Sequence, residues 1–325
     1  MTTAIEHNNH LMGQIRRHSL LNKYTEATMP AIYDASPYAP LRYMDLELVD
    51  VWENCPGSKL FAHPFDDTAW SRDLDEVKMR IFSAVIEVTN SQRVAVSPPK
   101  PSQAAIEAGC IPTCFLIYNL TADESQLLLE RSVWSSTHIT FRVTSFYPPY
   151  PDFLFSIKGL ATTHTDSVYQ IVHSVWHDDA TESFLNSIIE DSTQDERANT
   201  NQAISRFIAS MQVKLLPVKA TGNILAPRFN VYANGSPMIT QAAWKRLRNY
   251  LTDRVYASPM LGNGIAELAP YRCGICCGVD HPMGLCPFPD IEGWNGPKKP
   301  RFVEKSKSRA RGGHSRGPAY GTTRR

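Results

Sequence analysis

The sequence has no apolar run long enough to cross a membrane, and it does not begin like a secretory signal. A spanning helix needs about 20 apolar residues, and no stretch of about 18 occurs anywhere in the 325 residues. Residues 1–7 contain neither a basic segment nor an apolar one. We therefore expect no membrane partner and an intracellular location, in the nucleus or the cytoplasm, where cysteine thiols stay reduced.

The sequence also lacks the motifs of common enzyme classes. It contains no HExxH zinc-protease motif, no Walker phosphate-binding loop and no GxSxG hydrolase motif. The adjacent aspartates at 66–67 and 178–179 lie in polar runs, where carboxylates are usually solvated. We predict that the protein is not an enzyme.

Excess positive charge is confined to the C-terminus. Residues 298–325 contain ten lysines and arginines but a single acid, Glu304. This segment has a net charge of +9, whereas the other 297 residues have −8 and the whole chain only +1. A segment this rich in Arg, Lys, Gly and Ser is typical of a disordered tail, and its charge favours a polyanionic partner.

Composition and patterning divide the chain into five parts, with no internal repeat. The first is polar and then interrupted by prolines, which predicts an irregular arm. The second has helical periodicity, and the third alternates strand and helix patterns. The fourth is rich in cysteine, and the last is the basic tail. In order, the five parts are residues 1–40, 41–110, 111–268, 269–297 and 298–325.

The middle of the chain predicts an α+β domain. An apolar run at 114–120 indicates a buried strand, after which Thr121 and Glu124 form a capping box that begins a helix. Alternating residues at 139–145 and 153–158 indicate two more strands, and a helix follows. This β-α-β-β-α order lacks one strand of the ferredoxin-like unit. Segments near 212–218 and 228–233 could each supply that strand.

A further helix is predicted over about 238–254. Additional helices, beyond those of the β-α-β-β-α order, are predicted before it in the sequence. Its basic residues are typical of a solvated helix face. They are Lys245, Arg246, Arg248 and Arg254.

A compact cysteine cluster contains the motif with the clearest chemistry. The spacing C-x2-C-x4-H-x4-C is formed by Cys273, Cys276, His281 and Cys286. Three thiolates and one imidazole fill a tetrahedral Zn²⁺ shell, which predicts a structural CCHC zinc knuckle rather than a catalytic centre. Because the segment is too short to bury a core, metal binding would supply its folding energy. Cys277 remains an alternative to Cys276 as a ligand.

The cysteine cluster resembles the CCHC knuckles of retroviral and retrotransposon Gag nucleocapsids, which bind single-stranded nucleic acid. Together with Phe115–Leu120 and the motifs at 287–289 and 293–297, it is similar to uncharacterised Gag-like zinc-knuckle proteins of mushroom-forming fungi. Gly274 stands where nucleocapsid knuckles usually have an aromatic residue, and Asp280 where they often have glycine.

The resemblance implies a zinc-dependent, non-enzymatic protein that binds single-stranded RNA or DNA. Flanking aromatic residues would stack on bases, and tail cations would neutralise phosphates. The candidate contacts are Tyr271, Arg272, Trp294, Lys298, Lys299, Arg301, Arg309, Arg311 and Arg316. Two alternatives remain open. The flanking residues Tyr271, Arg272, Phe288 and Trp294 could instead pack the knuckle onto the body. The protein could also be an interaction scaffold with a structural zinc clip and a nuclear-import tail.

The β-α-β-β-α region also resembles the RNA-recognition motif. Residues 117–120 fit the end of that family's first-strand motif, and Phe153 and Phe155 fall where its third strand carries stacking aromatics. Alternating phenylalanines on a strand are more typical of a core, so we do not expect this sheet to bind RNA.

Overall fold

The computed structural model describes most of the chain. It is a mixed α+β protein with two antiparallel sheets. Within the described part, no helix has both the length and the apolar character that crossing a membrane requires. The described residues are 29–65, 73–190, 197–220, 222, 224–234 and 240–299. Apart from residues 298 and 299, the tail that we predict to be disordered lies outside them.

The first half of the protein contains a five-stranded sheet with the order β2-β3-β1-β5-β4. Its strands are β1 (Ser58–Pro64), β2 (Ala95–Ser97), β3 (Phe115–Leu120), β4 (Val133–Ser135) and β5 (Thr140–Ser145). Its helices are α1 (Leu46–Glu53), α2 (Leu74–Thr89), α3 (Gln103–Glu107) and α4 (Ala122–Arg131). The predicted capping box of Thr121 and Glu124 is confirmed at the start of α4.

The second half contains another five-stranded sheet, with the order β7-β8-β6-β10-β9. Its strands are β6 (Phe153–Lys158), β7 (Gln212–Leu216), β8 (Arg228–Tyr232), β9 (Tyr256–Ser258) and β10 (Gly262–Glu267). Its helices are α5 (Thr165–Trp176), α6 (Asp179–Glu190), α7 (Arg197–Ala209) and α8 (Gln241–Asp253).

The two halves repeat one topology that the sequence did not reveal. When the strands of each sheet are numbered along the chain, both sheets read 2-3-1-5-4. In both halves, helices lie between the first and second strands and between the third and fourth. The insertions differ, because α5, α6 and α7 separate β6 from β7 whereas α2 alone separates β1 from β2. This difference in spacing hides the repeat from a search for a fixed period.

The structure corrects the predicted grouping of strands. β3 and β5 belong to the first sheet, whereas β6 pairs with β8 and β10 in the second. The proline-rich loop at 147–151 therefore joins two sheets rather than two neighbouring strands. The region 41–110, predicted as helical, also contains β1 and β2. Only residues 60–62 of β1 are fully buried, which is too short a run to stand out as a strand pattern.

Both sheets are covered on both faces. Helices α2 and α4 cover one face of the first sheet, and Trp52 of α1 packs on the other against Phe61. Helices α5 to α8 cover one face of the second sheet. On its other face, Phe153 and Tyr232 pack against Tyr33 of the N-terminal arm. Aromatic side chains on these strands therefore form cores.

One basic residue of α8 departs from the predicted solvated face. Lys245 and Arg246 are exposed, and Arg254 forms an ion pair with Asp178. Arg248, by contrast, is only 6% exposed. Its guanidinium lies 4.5 Å from the centroid of the Trp244 ring and donates to backbone carbonyls of β6 and the arm. These acceptors satisfy the charge, so burial is possible at this position.

Candidate metal centre

Four side chains converge into a buried Cys₃His cluster. One ligand atom from each of Cys273, Cys276, His281 and Cys286 lies within 4.8 Å of the others. The Sγ atom of Cys276 is 3.4 Å from Nε2 of His281. Among the described residues, no second group of three or more such side chains comes together in this way. The cluster could hold one metal ion, and three sulfurs with one nitrogen match the ligand preference of zinc.

The backbone between the first two cysteines folds into a tight turn around the sulfurs. The amide of Cys273 donates to the carbonyl of Gly278 at 2.8 Å, and the amide of Cys277 donates to the carbonyl of Cys273 at 2.9 Å. The amides of Ile275 and Gly278 point at the sulfurs of Cys273 and Cys276, each at 3.4 Å. These N–H groups stabilise thiolate charge, as expected around a metal-binding cysteine pair.

The structure distinguishes Cys276 from Cys277, the alternative second ligand. Cys276 is buried within the cluster, whereas Cys277 is exposed and does not belong to it. The chain turns at Cys277 through a positive φ of 60°. The second cysteine of the cluster is therefore Cys276.

Asp280 orients the imidazole of His281. One carboxylate oxygen lies 2.7 Å from Nδ1 of His281, which leaves Nε2 to face the sulfurs. The other carboxylate oxygen accepts a hydrogen bond from the hydroxyl of Tyr232 on β8 at 3.0 Å. Asn230 donates to the backbone carbonyl of Asp280 at 2.7 Å, and the hydroxyl of Ser156 on β6 donates to Asn230 at 2.5 Å. A carboxylate behind a histidine is a common partner of zinc ligands.

Hydrogen bonds within the cluster shift the pKa values of Cys273, Cys276 and His281. Hydrogen bonds from Cys276 and Cys286 lower the pKa of Cys273, while the hydrogen bond with Cys273 raises the pKa of Cys276. Burial opposes a charged His281, but hydrogen bonds with Asp280, Cys273 and Cys286 outweigh it and raise its pKa to about 11. A metal ion would replace the protons on these groups, because it requires thiolates and a neutral imidazole.

Asp280→Ala is expected to weaken metal binding by about 10–100-fold, because the change removes the partner that fixes the His281 ring. Competition with a chromogenic chelator measures the affinity. Asp253→Ala, at the exposed end of α8, removes the same charge away from the centre and should leave the affinity unchanged. Equal affinities for the two variants would show that Asp280 does not support the ligand.

The aromatic residues that flank the cluster pack it against the body. Trp294 is half-buried, with its ring centroid 5.1 Å from those of both Phe65 and Phe288, and Phe288 is fully buried. The ring of Tyr271 lies 5.4 Å beneath the guanidinium of Arg228. These contacts favour the packing alternative for Trp294 and Phe288 over base stacking.

The candidate basic contacts are only partly described. Arg272 and Lys298 are exposed, and Nζ of Lys299 lies 2.5 Å from a carboxylate oxygen of Asp290. The other predicted contacts lie outside the described residues. They are Arg301, Arg309, Arg311 and Arg316.

A second cysteine–histidine contact joins two residue types that can act as nucleophile and base. The charge states of these two side chains do not favour that chemistry. Sγ of Cys114 lies 3.9 Å from Nε2 of His63. Burial raises the pKa of the Cys114 thiol well above its usual value. Burial, with the charge of Arg142, lowers the pKa of His63 to about 3. Both groups are neutral near pH 7, which disfavours a reactive thiolate. The absence of catalysis stays a prediction.

Comparisons with known proteins assign no function to the cluster. No protein-family model, no curated protein and no solved structure matches this chain. Its chemistry therefore follows from its geometry. A buried Cys₃His set with every position filled by protein leaves no place for a substrate or a reactive water, which is the arrangement of a structural metal site.

Proposed function

We propose that this chain is a zinc-dependent, Gag-like protein that binds single-stranded RNA or DNA without catalysing a reaction. The buried Cys₃His cluster supports this proposal most directly. It ends only 12 residues before a segment with a net charge of +9. In this proposal zinc fixes the C-terminal part of the body, and the tail that leaves it neutralises phosphates.

In this proposal most of the affinity comes from the tail. The body has a net charge of −8, which opposes the long-range attraction of a polyanion to it. Zinc with three thiolates adds about one negative charge. If five tail cations contact phosphates, the affinity for a single strand should fall with a log–log salt slope of about −3.5.

The scaffold alternative is favoured by one observation. Phe288 and Trp294 pack on Phe65 and leave the cysteine-rich segment as a clip between the arm and the first sheet. A clip of this kind can support protein contacts without touching nucleic acid, in which case the tail would act as a nuclear-import signal.

We also propose that each half is a ferredoxin-like unit with one added strand. The order 2-3-1-5-4, entirely antiparallel, contains the ferredoxin-like arrangement when the fifth strand takes the place of the fourth. The extra strand, β4 or β9, then forms an edge hairpin with the last strand.

Deleting residues 298–325 is expected to remove most single-strand binding and to flatten its salt dependence. Fluorescence anisotropy with a short labelled oligonucleotide, across a salt series, measures both. A matched chain in which the ten tail lysines and arginines become glutamine keeps the length and should behave like the deletion. If the intact chain fails to bind single strands even at low salt, the scaffold alternative replaces the proposal.

A further inference from the structure

A cleft of about 170 Å³ lies where the arm, the first sheet and the cysteine-rich segment meet. Its wall comes from the arm and the turn that follows it, the end of β1, the loop before β3, and residues 272–279. Apolar side chains, including Pro64, Phe65 and Ile275, form part of this wall. The cleft adjoins the metal centre, since Cys276 also lines it, whereas Cys273, His281 and Cys286 do not.

The cleft wall has a net positive charge. Three arginines and one carboxylate line it, namely Arg42, Arg142, Arg272 and Asp34. A zinc ion with three thiolates next to the cleft would add about one negative charge, which still leaves the cations in excess. His63 also lines the cleft, and its pKa of about 3 makes it neutral.

The three arginines have different environments. Arg142 is fixed, because Nη1 lies 2.9 Å from a carboxylate oxygen of Asp34 and Nη2 donates to the carbonyl of Ile32 at 3.0 Å. Arg42 and Arg272 are exposed, and neither forms an ion pair with a carboxylate in the described part of the chain. The guanidinium of Arg42 stacks 4.8 Å from the ring centroid of Tyr43.

Two of the five non-glycine residues that have positive φ in the described part of the chain line this cleft. Tyr43 and Cys277 both line it, and both have positive φ, at 73° and 60°. A positive φ is rare for a bulky side chain such as tyrosine. Strained residues of this kind persist where the surrounding structure holds them, and they are frequent at ligand-binding sites.

We propose that this cleft binds a phosphate group, carried either by a nucleoside monophosphate or by the end of a nucleic-acid strand. Guanidinium groups bind phosphate oxygens in bidentate pairs, and the exposed Arg42 and Arg272 are the candidates for such contacts, whereas both terminal nitrogens of Arg142 already bond to Asp34 and Ile32. The cleft is smaller than the roughly 300–1,000 Å³ of pockets that enclose whole drug-sized ligands, which suits a phosphate with its base outside. The inference does not require the tail.

Binding of adenosine 5′-monophosphate to the zinc-loaded full chain tests this site, with adenosine as the phosphate-free probe. Calorimetry should show one site for the monophosphate and none for adenosine. The double variant Arg42→Gln/Arg272→Gln should bind at least about tenfold more weakly, because two charge-assisted contacts are lost. The matched control, Arg93→Gln/Lys245→Gln, also removes two positive charges, at exposed positions outside the cleft.

Oligonucleotides with and without a 5′-phosphate identify the source of the phosphate. If the strand end is the ligand, the phosphorylated strand binds more tightly to the intact chain but not to the double variant. If a free nucleotide is the ligand, the monophosphate alone shows the arginine dependence. Failure of the monophosphate to bind at millimolar concentration, or equal binding by the intact chain and the double variant, would overturn the proposal. The tail is unchanged in every variant, so neither result bears on the tail-based function.

Discussion

Loss of the metal is expected to destabilise the body of the protein and not only the cysteine-rich segment. Cys276→Ser removes one ligand of the buried cluster, and it should abolish stoichiometric zinc binding and lower the melting temperature strongly. Structural zinc contributes about 10–16 kcal/mol in zinc-finger peptides, which is comparable to the whole unfolding free energy of a typical domain, about 5–15 kcal/mol.

The effect should spread because the cluster contacts three other parts of the protein. Cys273, Cys276 and Cys286 share a core with Ile32 of the arm and with Phe65 and Val133 of the first half. Val279 packs against Phe153 and Tyr232 of the second sheet. Asp280 also bonds to Tyr232 and Asn230. Without the metal, we expect the cysteine-rich segment to unfold, and these contacts with the arm and the two sheets would be lost.

Cys277→Ser is the matched control for this experiment, since it removes the same thiol from the adjacent residue. Cys277 is exposed and outside the cluster, so its variant should keep one equivalent of zinc and the parental melting temperature. Metal analysis and calorimetry of the two variants measure both quantities. Full zinc retention by Cys276→Ser would disprove the ligand assignment.

The ligand set could be predicted from the sequence, but its supporting residues could not. Short spacings between ligands limit which side chains can reach one ion, so Cys273, His281 and Cys286 can be found by counting, whereas the choice of Cys276 over Cys277 required the structure. Asp280 is next to His281, but its other partner, Tyr232, is 48 residues away. Local periodicity carries no information about contacts at such a distance.

Individual strands could likewise be predicted from the sequence, but their pairing could not. β3, β5 and β6 alternate or form apolar runs and could be located, yet the pattern of one strand does not specify its neighbours. β6 was therefore placed in the wrong sheet. The two-sheet repeat is a property of strand order, which depends on long-range pairing.

The second large effect is expected at Arg248, where the sequence predicted a solvated side chain. Its Nε and Nη2 atoms donate to the carbonyl of Leu154 on β6 at 3.0 and 2.9 Å. Nη1 donates to the carbonyl of Ala35 in the arm at 2.9 Å. Burial lowers the pKa of Arg248 to about 10, so the side chain remains charged at neutral pH. One residue thus joins α8, the second sheet and the arm.

Arg248→Ala is expected to lower the free energy of unfolding by about 3 kcal/mol or more, because buried carbonyls lose charge-assisted hydrogen bonds worth about 1.5–3 kcal/mol each. The packing of the guanidinium on Trp244 is lost as well. Denaturant titration of the zinc-loaded chain measures the change. Arg248→Lys keeps the charge but not the planar fork of donors, so it should fall between the alanine variant and the parent.

Lys245→Ala separates the role of burial from that of charge. Lys245 lies on the same helix but is exposed, so its replacement should change the unfolding free energy by no more than about 0.5 kcal/mol. One outcome would contradict this role, namely that Arg248→Ala lowers the unfolding free energy no more than Lys245→Ala does. That result would mean that the carbonyls of Leu154 and Ala35 find other partners and that Arg248 does not join α8, the second sheet and the arm. A cost several times larger would support a role for Arg248 in holding the arm, and with it Tyr33 and the arm residues that line the cleft beside Cys276, against the body.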